Sequence, residues 1–581
     1  MRFALLALLL LPIVSNAADA QPSRNAQWDT CRLATGVPLE EQLNACNALL
    51  SSGKETAKNR AVLYCNRGVA YYNNDQNERA IADFEQTFKL DGTTANSFRC
   101  RGLMYEAKGQ NDRAMLDYDR AIQLDPKYAE AYSDRGDIHR KKKNYDLAVA
   151  QYSAAIRVAT KSNAVHSFHY RRGNAYADKR DYDSAISDYD RAIAISSSYA
   201  LAFSARGRAH KNKKNYDKAV ADYSNAIRLE PRNAAYHSDR ADTYFNKSDY
   251  TQAIADYTTA IRLRPAYSYA YRWRGAAHAR KSDNALAIAD YDKAIEINPK
   301  YDEAYRSRAA AHKSMRQFDK AIADYTRAIE IDPKDTNYYL DRGNTYRDKL
   351  DYDLAIADFN KAISIKPKLD EAFRYRGAAY FSKGEVDKSI ADYTRALEID
   401  PKDANYYVGR ASAYESKGDF DAAIADRTKV VELNPKAFYS HANRGYAQFN
   451  KGDYKAAATD FLRALELDDN AYAMMFRFMA RTRTGEQAAA ELEANAARLK
   501  SKAWPFAAIE LLAGKRTPEA TLPAAVEPND ICEAHFYIGQ WHLLRDARPA
   551  AAAELKIAVD TCPKTFIEHT AAAAELKRIK P

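Results

Sequence analysis

The amino-acid sequence predicts an all-α fold, an α-solenoid of tandem helix–turn–helix units, and two observations lead to this fold class. The first is a repeat, because DKAIADYTRAIEIDP at 319–333 returns as DKSIADYTRALEIDP at 387–401, two intervals of 34 residues later. The second is a helical stripe inside that phrase, where Ala321, Tyr325 and Ala328 have the i, i+4, i+7 spacing of one helix face. A fixed period of this length is typical of arrays whose units bury their apolar faces against one another.

An Arg-Gly or Arg-Ala dipeptide marks the same point in twelve units, and we number each unit so that the second residue of this dipeptide is position 8. That residue stands at 68, 102, 136, 173, 207, 241, 275, 309, 343, 377, 411 and 445. Every step is 34 residues except the one from Gly136 to Gly173, which is 37. The longer step contains VATKSNAVHSF at 158–168, which lacks a closing proline. The sequence therefore predicts twelve tandem units over 58–470, with an irregular joint near 158–168.

The segments outside this array are predicted from their own patterns. Residues 1–20 combine Arg2, an apolar run and small residues near Ala20, which is typical of a secretory signal peptide. The first cysteine after the run is Cys31, which argues against a lipoprotein anchor, and no later segment has the roughly 18 apolar residues of a membrane helix. We therefore expect a protein of the periplasm or a secreted protein, with no membrane insertion.

The ends of the array complete the predicted domain organisation. Residues 21–57 are expected to form an N-terminal helical hairpin closed by a disulfide, and 471–530 a degenerate repeat followed by a linker. Residues 531–581 regain the register, since Gly539 and Ala551 occupy positions 8 and 20 of one more unit. The last helix of this C-terminal unit is expected to cap the array.

The pattern of the units resembles the tetratricopeptide repeat (TPR): a small residue at 8, aromatics at 4, 11 and 24, alanines at 20 and 27 and proline at 32. The resemblance covers about 58–470 and implies a right-handed superhelix of about 13–14 repeats. It also implies a concave groove lined by positions 2, 5, 9, 12 and 13 of each first helix. The family's carboxylate clamp, which needs Lys or Arg at 5 with Asn at 9, is not matched, because position 5 is Leu340 in the unit of Asn344 and Tyr170 in the unit of Asn174.

Charged residues at two other positions predict a structural ladder. Position 7 is arginine in all twelve units, and position 23 is aspartate in eleven, with Gln151 as the exception. Both positions border the seam between helices, so partly buried pairs that hold the repeats together are the favoured interpretation. The pairs expected in the central units are Arg274 with Asp290, Arg308 with Asp324, Arg342 with Asp358, and Arg376 with Asp392.

The six cysteines lie near the two ends of the chain, and export would permit disulfides. Cys532 and Cys562 fall at adjoining ends of two antiparallel helices, which makes this the best-supported pair. Cys31 and Cys46 flank a turn and can close the N-terminal hairpin. Cys65 and Cys100 lie on first helices of adjacent units, although Cys46 with Cys65 is an open alternative.

Composition and motifs weigh against catalysis and nucleic-acid binding. The 88 basic and 78 acidic residues alternate within segments, so the net charge of +10 does not form the basic block of a nucleic-acid surface. The chain has no P-loop, GxSxG, HExxH or paired CxxC motif. His166 and His169 are three residues apart, but zinc needs three or four ligands and no further one is evident. We therefore expect no enzyme activity, no cofactor and no metal.

Groove positions suggest what the protein binds. They carry cations and occasional aromatics that suit an extended acidic segment of a protein or peptide partner. These residues are Tyr269, Arg272, Arg280, Arg306, Lys313, Arg347, Arg374 and Phe381. Glu303, Asp348 and Glu371 share the surface and can neutralise them. The leading hypothesis is a non-enzymatic periplasmic scaffold or adaptor.

A glycan-binding or polysaccharide-export accessory protein is the alternative hypothesis. In that case exposed groove aromatics would stack on sugar rings, and the candidates are Tyr269, Phe381, Tyr446 and Phe449. This hypothesis requires the four rings to face solvent in the free protein.

Overall fold

The computed structural model describes residues 23–32, 37–159 and 164–579, so the predicted signal peptide lies outside the described residues. Within those ranges all regular structure is helical: 33 α-helices and one 3₁₀ turn. None of the described helices is both long and apolar enough to cross a membrane. The chain divides into two compact units between Lys281 and Ser282.

The first unit begins with a helical hairpin and continues with the repeat pairs. Its helices are α1 (Arg24–Cys31), α2 (Leu39–Ser51), α3 (Ala57–Tyr72), α4 (Asn77–Leu90), α5 (Ala95–Ala107), α6 (Asn111–Leu124), α7 (Ala129–Lys141), α8 (Tyr145–Val158), α9 (Val165–Asp178), α10 (Tyr182–Ile195), α11 (Ala200–Asn212), α12 (Tyr216–Leu229), α13 (Ala234–Asn246), α14 (Tyr250–Leu263) and α15 (Ser268–Arg280). Odd-numbered helices from α3 onward are the first helices of their repeats. The 37-residue step falls between α8 and α9, where residues 160–163 lie outside the described ranges.

The second unit carries the remaining repeats and the C-terminal elements. Its repeat helices are α16 (Asn284–Ile297), α17 (Asp302–Ser314), α18 (Phe318–Ile331), α19 (Thr336–Asp348), α20 (Tyr352–Ile365), α21 (Asp370–Lys383), α22 (Val386–Ile399), α23 (Ala404–Lys417), α24 (Phe420–Leu433), α25 (Phe438–Lys451) and α26 (Tyr454–Leu465). They are followed by α27 (Ala471–Arg483), α28 (Ala489–Ala496), α29 (Phe506–Leu512), α30 (Pro518–Thr521), a 3₁₀ turn (Leu522–Ala524), α31 (Pro528–Leu543), α32 (Arg548–Thr561) and α33 (Ile567–Ile579).

The repeating core explains the small residue at position 8. In α18 the stripe of Ala321, Tyr325 and Ala328 is buried, with at most 2% of each residue exposed. The aromatic at position 24 packs directly over position 8 of the first helix, and a Cβ added at Gly68 would lie 2.7 Å from the Phe84 ring. Helix pairing within a repeat therefore depends on a small residue facing a large one.

The segment 471–530 is more compact than its prediction as a degenerate repeat and linker. Met475, Phe476 and Met479 of α27 and Ile509 of α29 are buried in the same apolar cluster as Phe536 of α31. The stretch before α31 also contains α30 and the 3₁₀ turn. The part predicted as a degenerate repeat thus contributes side chains to the C-terminal core, and the division into degenerate repeat and linker stays a prediction.

Three disulfides join the six cysteines within the described residues. The Cα–Cα distances are 4.9 Å for Cys31–Cys46, 5.9 Å for Cys65–Cys100 and 5.1 Å for Cys532–Cys562. The alternative of Cys46 with Cys65 does not occur. The first bond closes the α1–α2 hairpin, the second joins first helices α3 and α5, and the third joins α31 to the end of α32.

Candidate functional site

The arginine at position 7 ties three helices together. In α17, Arg308 donates Nε and Nη2 to Asp324 at 2.8 and 2.6 Å, and its Nη1 donates to Asp292 of the preceding repeat at 2.5 Å. The hydrogen bonds to Asp324 raise the pKa of Arg308. Arg308 therefore joins its own second helix to the second helix of the repeat before it, a double role that its spacing alone did not indicate.

The same arrangement recurs at the other predicted pairs within each of the two compact units. Arg342 contacts Asp358 at 2.8 and 2.7 Å and Thr326 of the preceding repeat at 2.8 Å. Arg376 likewise contacts Asp392 at 2.8 and 2.6 Å. Arg135 bonds the exceptional Gln151 at 3.0 Å through Nε, and Asp119 of the preceding repeat at 2.5 Å. The pair Arg274–Asp290 stays a prediction.

A second ladder lies on the surface formed by positions 2, 5, 6, 9, 12 and 13 of successive first helices, which we call the groove face. Position 5 of one repeat contacts position 6 of the next: Arg99 pairs with Asp134 at 2.6 Å, and Arg306 with Asp341 at 2.7 Å. The disulfide Cys65–Cys100 occupies the same pair of positions. Three pairs of adjacent first helices are therefore cross-linked at these positions, two by charge and one by a covalent bond.

Positions 12 and 13 form another row of contacts on the groove face. Lys313 pairs with Asp348 of the next repeat at 3.0 Å, and Arg140 with Asp178 at 2.6 Å. The predicted groove cations Arg306 and Lys313 thus have carboxylate partners within the protein. An acidic ligand would have to compete with those partners, which weakens both residues as binding determinants.

Arg347 and Arg374 differ from these paired cations. The Cζ of Arg374 lies 4.1 Å from the centroid of the Tyr375 ring, and the Cζ of Arg347 lies 5.9 Å from the same centroid. Arg347 approaches Asp348 only to 3.7 Å, while the other carboxylate oxygen of Asp348 takes Lys313. Both arginines are half-buried, and Phe381 is half-buried at position 12 of α21. Two cations and an aromatic ring thus share one region of the groove face.

Sequence comparison gives a consistent result along the array. Family models described as tetratricopeptide repeat or TPR repeat match the chain at 61–94, 102–142, 133–200, 212–248, 238–302, 302–335, 343–384, 377–418 and 408–473. The chain belongs to the tetratricopeptide repeat family. This agrees with the helix pairs of both units and confirms the all-α TPR solenoid that the period predicts. No curated protein sequence matches the chain.

Several solved structures resemble the chain in part. MamA is 27% identical and matches 28% of this chain and 95% of its own, with a TM-score of 0.27. A tetratricopeptide repeat protein from Parabacteroides merdae is 19% identical, covers 42% of this chain and 97% of its own, and has a TM-score of 0.36. The Cut9–Hcn1 hetero-tetramer of APC/C gives 17% identity, 88% and 95% coverage, and a TM-score of 0.39.

Two of the three predicted groove residues of the first unit contact neighbouring side chains. The Tyr269 hydroxyl donates to Asp242 of the preceding TPR first helix at 2.9 Å. The guanidinium of Arg272 lies 4.7 Å from the Trp273 ring, and Arg280 is exposed at the last residue of α15. Burial, followed by the charge of Asp242, raises the pKa of Tyr269. Tyr269 is therefore part of the polar framework of the groove face.

Hydroxyls of the core tyrosines also reach the groove face, which sequence inspection missed. Tyr189 at position 24 donates to Asn174 at position 9 of its own TPR unit at 2.8 Å. Tyr257 donates to Asp242 in the same way at 2.6 Å. The constant spacing of 15 residues between positions 9 and 24 is a signal that could have revealed these bonds.

The C-terminal helix covers the groove face of the last regular TPR unit. Arg578 of α33 donates to the carbonyl oxygens of Phe449, at 3.1 Å, and Asn450 at the C-terminal end of α25. It also donates to the Tyr454 hydroxyl at 3.2 Å. Glu575 of α33, which is 1% exposed, pairs with Arg483 at 2.7 Å. The cation at the end of α33 thus contacts the negative end of the α25 helix dipole.

This coverage takes away two of the four rings on which the glycan hypothesis depends. Phe449 is fully buried, and the Tyr446 ring lies 4.8 Å from the Phe476 ring of α27 and 5.0 Å from the Phe461 ring. The expectation that both rings face solvent is wrong, because α27 and α33 pack on α25. Sugar stacking would require rings that are open to water.

Two carboxyl groups are enclosed beneath the same C-terminal helices. Glu568 of α33 is 2% exposed and accepts a hydrogen bond from the Tyr537 hydroxyl at 2.9 Å. Glu533 accepts from Trp504 at 2.8 Å and from Tyr472 at 3.0 Å. Burial, and then the charge of Glu533, raises the pKa of Glu568 to about 8. Burial likewise raises the pKa of Glu533.

The histidines near the irregular joint take part in packing and ion pairing. His169 Nδ1 lies 3.0 Å from Asp188, which also accepts from Arg172 at 2.7 Å. His166 is buried with its ring centroid 4.8 Å from that of Tyr199. Among the residues that the structure describes, no group of three or more His, Cys, Asp or Glu side chains is arranged to hold a metal ion.

Proposed function

We propose that the protein is a non-enzymatic scaffold of the periplasm or the secreted fraction, and that it binds extended segments of partner proteins on its groove face. The observation that carries this proposal is the ladder on that face. Rungs such as Arg99–Asp134 and Arg306–Asp341 hold successive first helices in fixed register. A surface that is already ordered loses little conformational entropy when a partner binds.

Export is supported by two independent features of the chain. The first twenty residues have the composition of a signal peptide, and all six cysteines lie in disulfides. Disulfides persist in oxidising compartments and are rare in the reducing cytosol. The bonds also fix both ends of the array, where terminal repeats have one neighbour instead of two.

The test is capture of partner proteins by crosslinking in an envelope extract. Wild type is compared with the double variant Arg347→Glu and Arg374→Glu on the groove face. The matched control is Arg327→Glu and Arg395→Glu, which makes the same charge change on second helices, where both arginines are about half exposed. Helical circular dichroism should be equal for all three proteins.

We expect wild type and the control to capture the same proteins and the groove variant to lose them. Equal capture by all three proteins would show that binding occurs on another surface. A wild-type protein that captures nothing would overturn the scaffold function.

A further inference from the structure

At Arg374 the groove-face ladder has no carboxylate at the partner position. Wherever an arginine occupies position 5 and its partner position is aspartate, the two pair, as in Arg99–Asp134 and Arg306–Asp341. Arg374 also stands at position 5, but position 6 of the next repeat is Gly409, which has no side chain. The protein therefore provides no acid at position 6 of the next repeat, where Arg99 and Arg306 find one.

Packing keeps that place without a side chain. A Cβ added at Gly409 would lie 2.7 Å from the Tyr393 hydroxyl oxygen, closer than real Cβ atoms approach. Tyr393 is itself 7% exposed and belongs to the apolar cluster that joins α21, α22 and α23. An aspartate at 409 would thus displace a core tyrosine.

The neighbouring row has a matching gap. Position 12 pairs with position 13 of the next repeat in Arg140–Asp178 and Lys313–Asp348. Arg347 stands at position 12, but its partner position is Ser382, an exposed residue. Arg347 and Arg374 flank the same ring of Tyr375, so the two gaps adjoin.

Three acids near these gaps, Asp348, Asp370 and Glu415, are engaged by other side chains, and Asp370 accepts a hydrogen bond from the Tyr406 hydroxyl at 2.7 Å. Asp348 is 3.0 Å from Lys313 and 3.7 Å from Arg347. Glu415 accepts two hydrogen bonds from the buried Arg427, each 3.0 Å long. Arg347 thus shares Asp348 with Lys313, while Arg374 makes no ion pair with the described carboxylates, so two guanidinium groups beside one aromatic ring have at most one shared carboxylate between them.

We infer that Arg347, Tyr375 and Arg374 form a subsite for a carboxylate side chain of an extended partner segment. This inference rests on the proposed scaffold function and specifies its partner as an acidic stretch of protein. The carboxylate replaces the missing aspartates, because guanidinium groups bind carboxylates in a two-pronged geometry. The Tyr375 ring supports the cations from one side and leaves their hydrogen-bond donors for the ligand.

Replacement of Ser382 by aspartate supplies the missing rung from within the protein. By analogy with Lys313–Asp348, the new carboxylate should pair with Arg347 and compete with the ligand. The matched control is Ser416→Asp, because Ser416 is an exposed residue at position 13 of the next repeat and its partner position 12 is Phe381. Both variants add one negative charge at the same register point, so only the local pairing differs.

The experiment measures fluorescence anisotropy of two labelled twelve-residue Gly-Ser peptides on the mature, disulfide-bonded protein. One peptide carries glutamate at alternate positions, and the other carries glutamine there. We expect wild type to bind the glutamate peptide about tenfold more tightly than the glutamine peptide, with the difference shrinking as salt rises. Arg347→Gln with Arg374→Gln should abolish the preference, Ser382→Asp should reduce it several-fold, and Ser416→Asp should leave it within about twofold.

Equal affinity for the two peptides would overturn the carboxylate subsite, as would equal effects of Ser382→Asp and Ser416→Asp. The same variants in the envelope crosslinking separate this inference from the function on which it rests. Partner proteins that are captured equally by wild type and Ser382→Asp would leave the scaffold function intact and reject the subsite. Capture of nothing by any protein would reject the scaffold function itself.

Discussion

Replacement of Arg308 by leucine tests how strongly the position 7 arginines hold the array together. Asp324 accepts two hydrogen bonds from Arg308, and its side chain is 10% exposed. Loss of the guanidinium would leave a nearly buried carboxylate without its cation, a change that costs about 3 to 5 kcal/mol. Because the Arg308 side chain is 21% exposed, we expect a loss near the lower end, about 3 kcal/mol.

The measurement is native-state hydrogen exchange of the amides in α17 and α18. A repeat array opens locally, so a single global free energy of unfolding is not the quantity that changes. The control is Arg327→Leu, which removes an exposed pair with Glu330 at 2.6 Å in α18. We expect the control to change the opening free energy by no more than about 0.5 kcal/mol.

A double replacement separates the buried charge from the packing. Arg308→Leu combined with Asp324→Leu leaves no unpaired carboxylate and should recover most of the lost stability. An opening free energy that falls by less than about 1 kcal/mol in Arg308→Leu would refute the reasoning. So would a double variant that is as unstable as the sum of the two single variants, since that result would place the effect in packing alone.

Three further predictions concern α33 and the repeat core. Glu568 holds a proton in the folded protein between its ordinary pKa of 4.5 and a pKa of about 8. The stability of α33 should therefore fall as pH rises through this window, by up to about 1.4 kcal/mol per pH unit. Amide exchange in α33, corrected for the pH dependence of the intrinsic exchange rate, would show this fall, and Glu568→Gln should remove it. Arg427 stands at position 24, where most units have a core tyrosine, and its Nη1 has no acceptor among the described residues. Arg427→Tyr should therefore raise the protection of the α23 and α24 amides from hydrogen exchange by about 1 kcal/mol. Lower protection would show that the pair of Arg427 with Glu415 is net stabilising. A Cβ added at Gly343 would lie 2.6 Å from the Phe359 ring, whereas one added at Gly377 would lie 3.3 Å from its nearest neighbour. Gly343→Ala should therefore destabilise its repeat by about 1 to 3 kcal/mol, and Gly377→Ala by less. Thermal unfolding measures both losses, and equal losses would contradict this packing argument.

The period made the fold predictable, because every unit repeats the same small-to-large contact. Gly68 and Phe84 stand at positions 8 and 24, and the corresponding residues recur at the same spacing in the other units. The pairing of Arg306 with Asp341 was also accessible in principle, since it joins positions 5 and 6 of adjacent repeats. The groove positions taken one at a time do not reveal it, because the signal is the combination of an arginine at position 5 with an aspartate at position 6 of the next repeat.

The burial of Tyr446 and Phe449 was not accessible from the repeat pattern. Their positions in the unit are those of groove residues, and what covers them comes from elsewhere in the chain. Arg578 contacts the carbonyl oxygen of Phe449 across 129 residues of sequence. A period describes contacts between neighbouring units only, so a helix that returns over the array leaves no periodic signal.

Coverage of α25 by α33 sets where a partner can lie on the second unit. The groove face of α25 is occupied by the protein's own side chains, and on α23 Glu415 is engaged by Arg427. The two gaps in the ladder lie on the preceding first helices, at Arg347 of α19 and Arg374 of α21. The surplus of positive charge therefore falls on the part of the face that α33 does not cover. The groove cations of α17, Arg306 and Lys313, are already paired with carboxylates. A protein that used the whole face for acidic partners would gain from unpaired cations on every rung. The restriction to one region favours recognition of a short acidic stretch at a defined register over general attraction to negative charge.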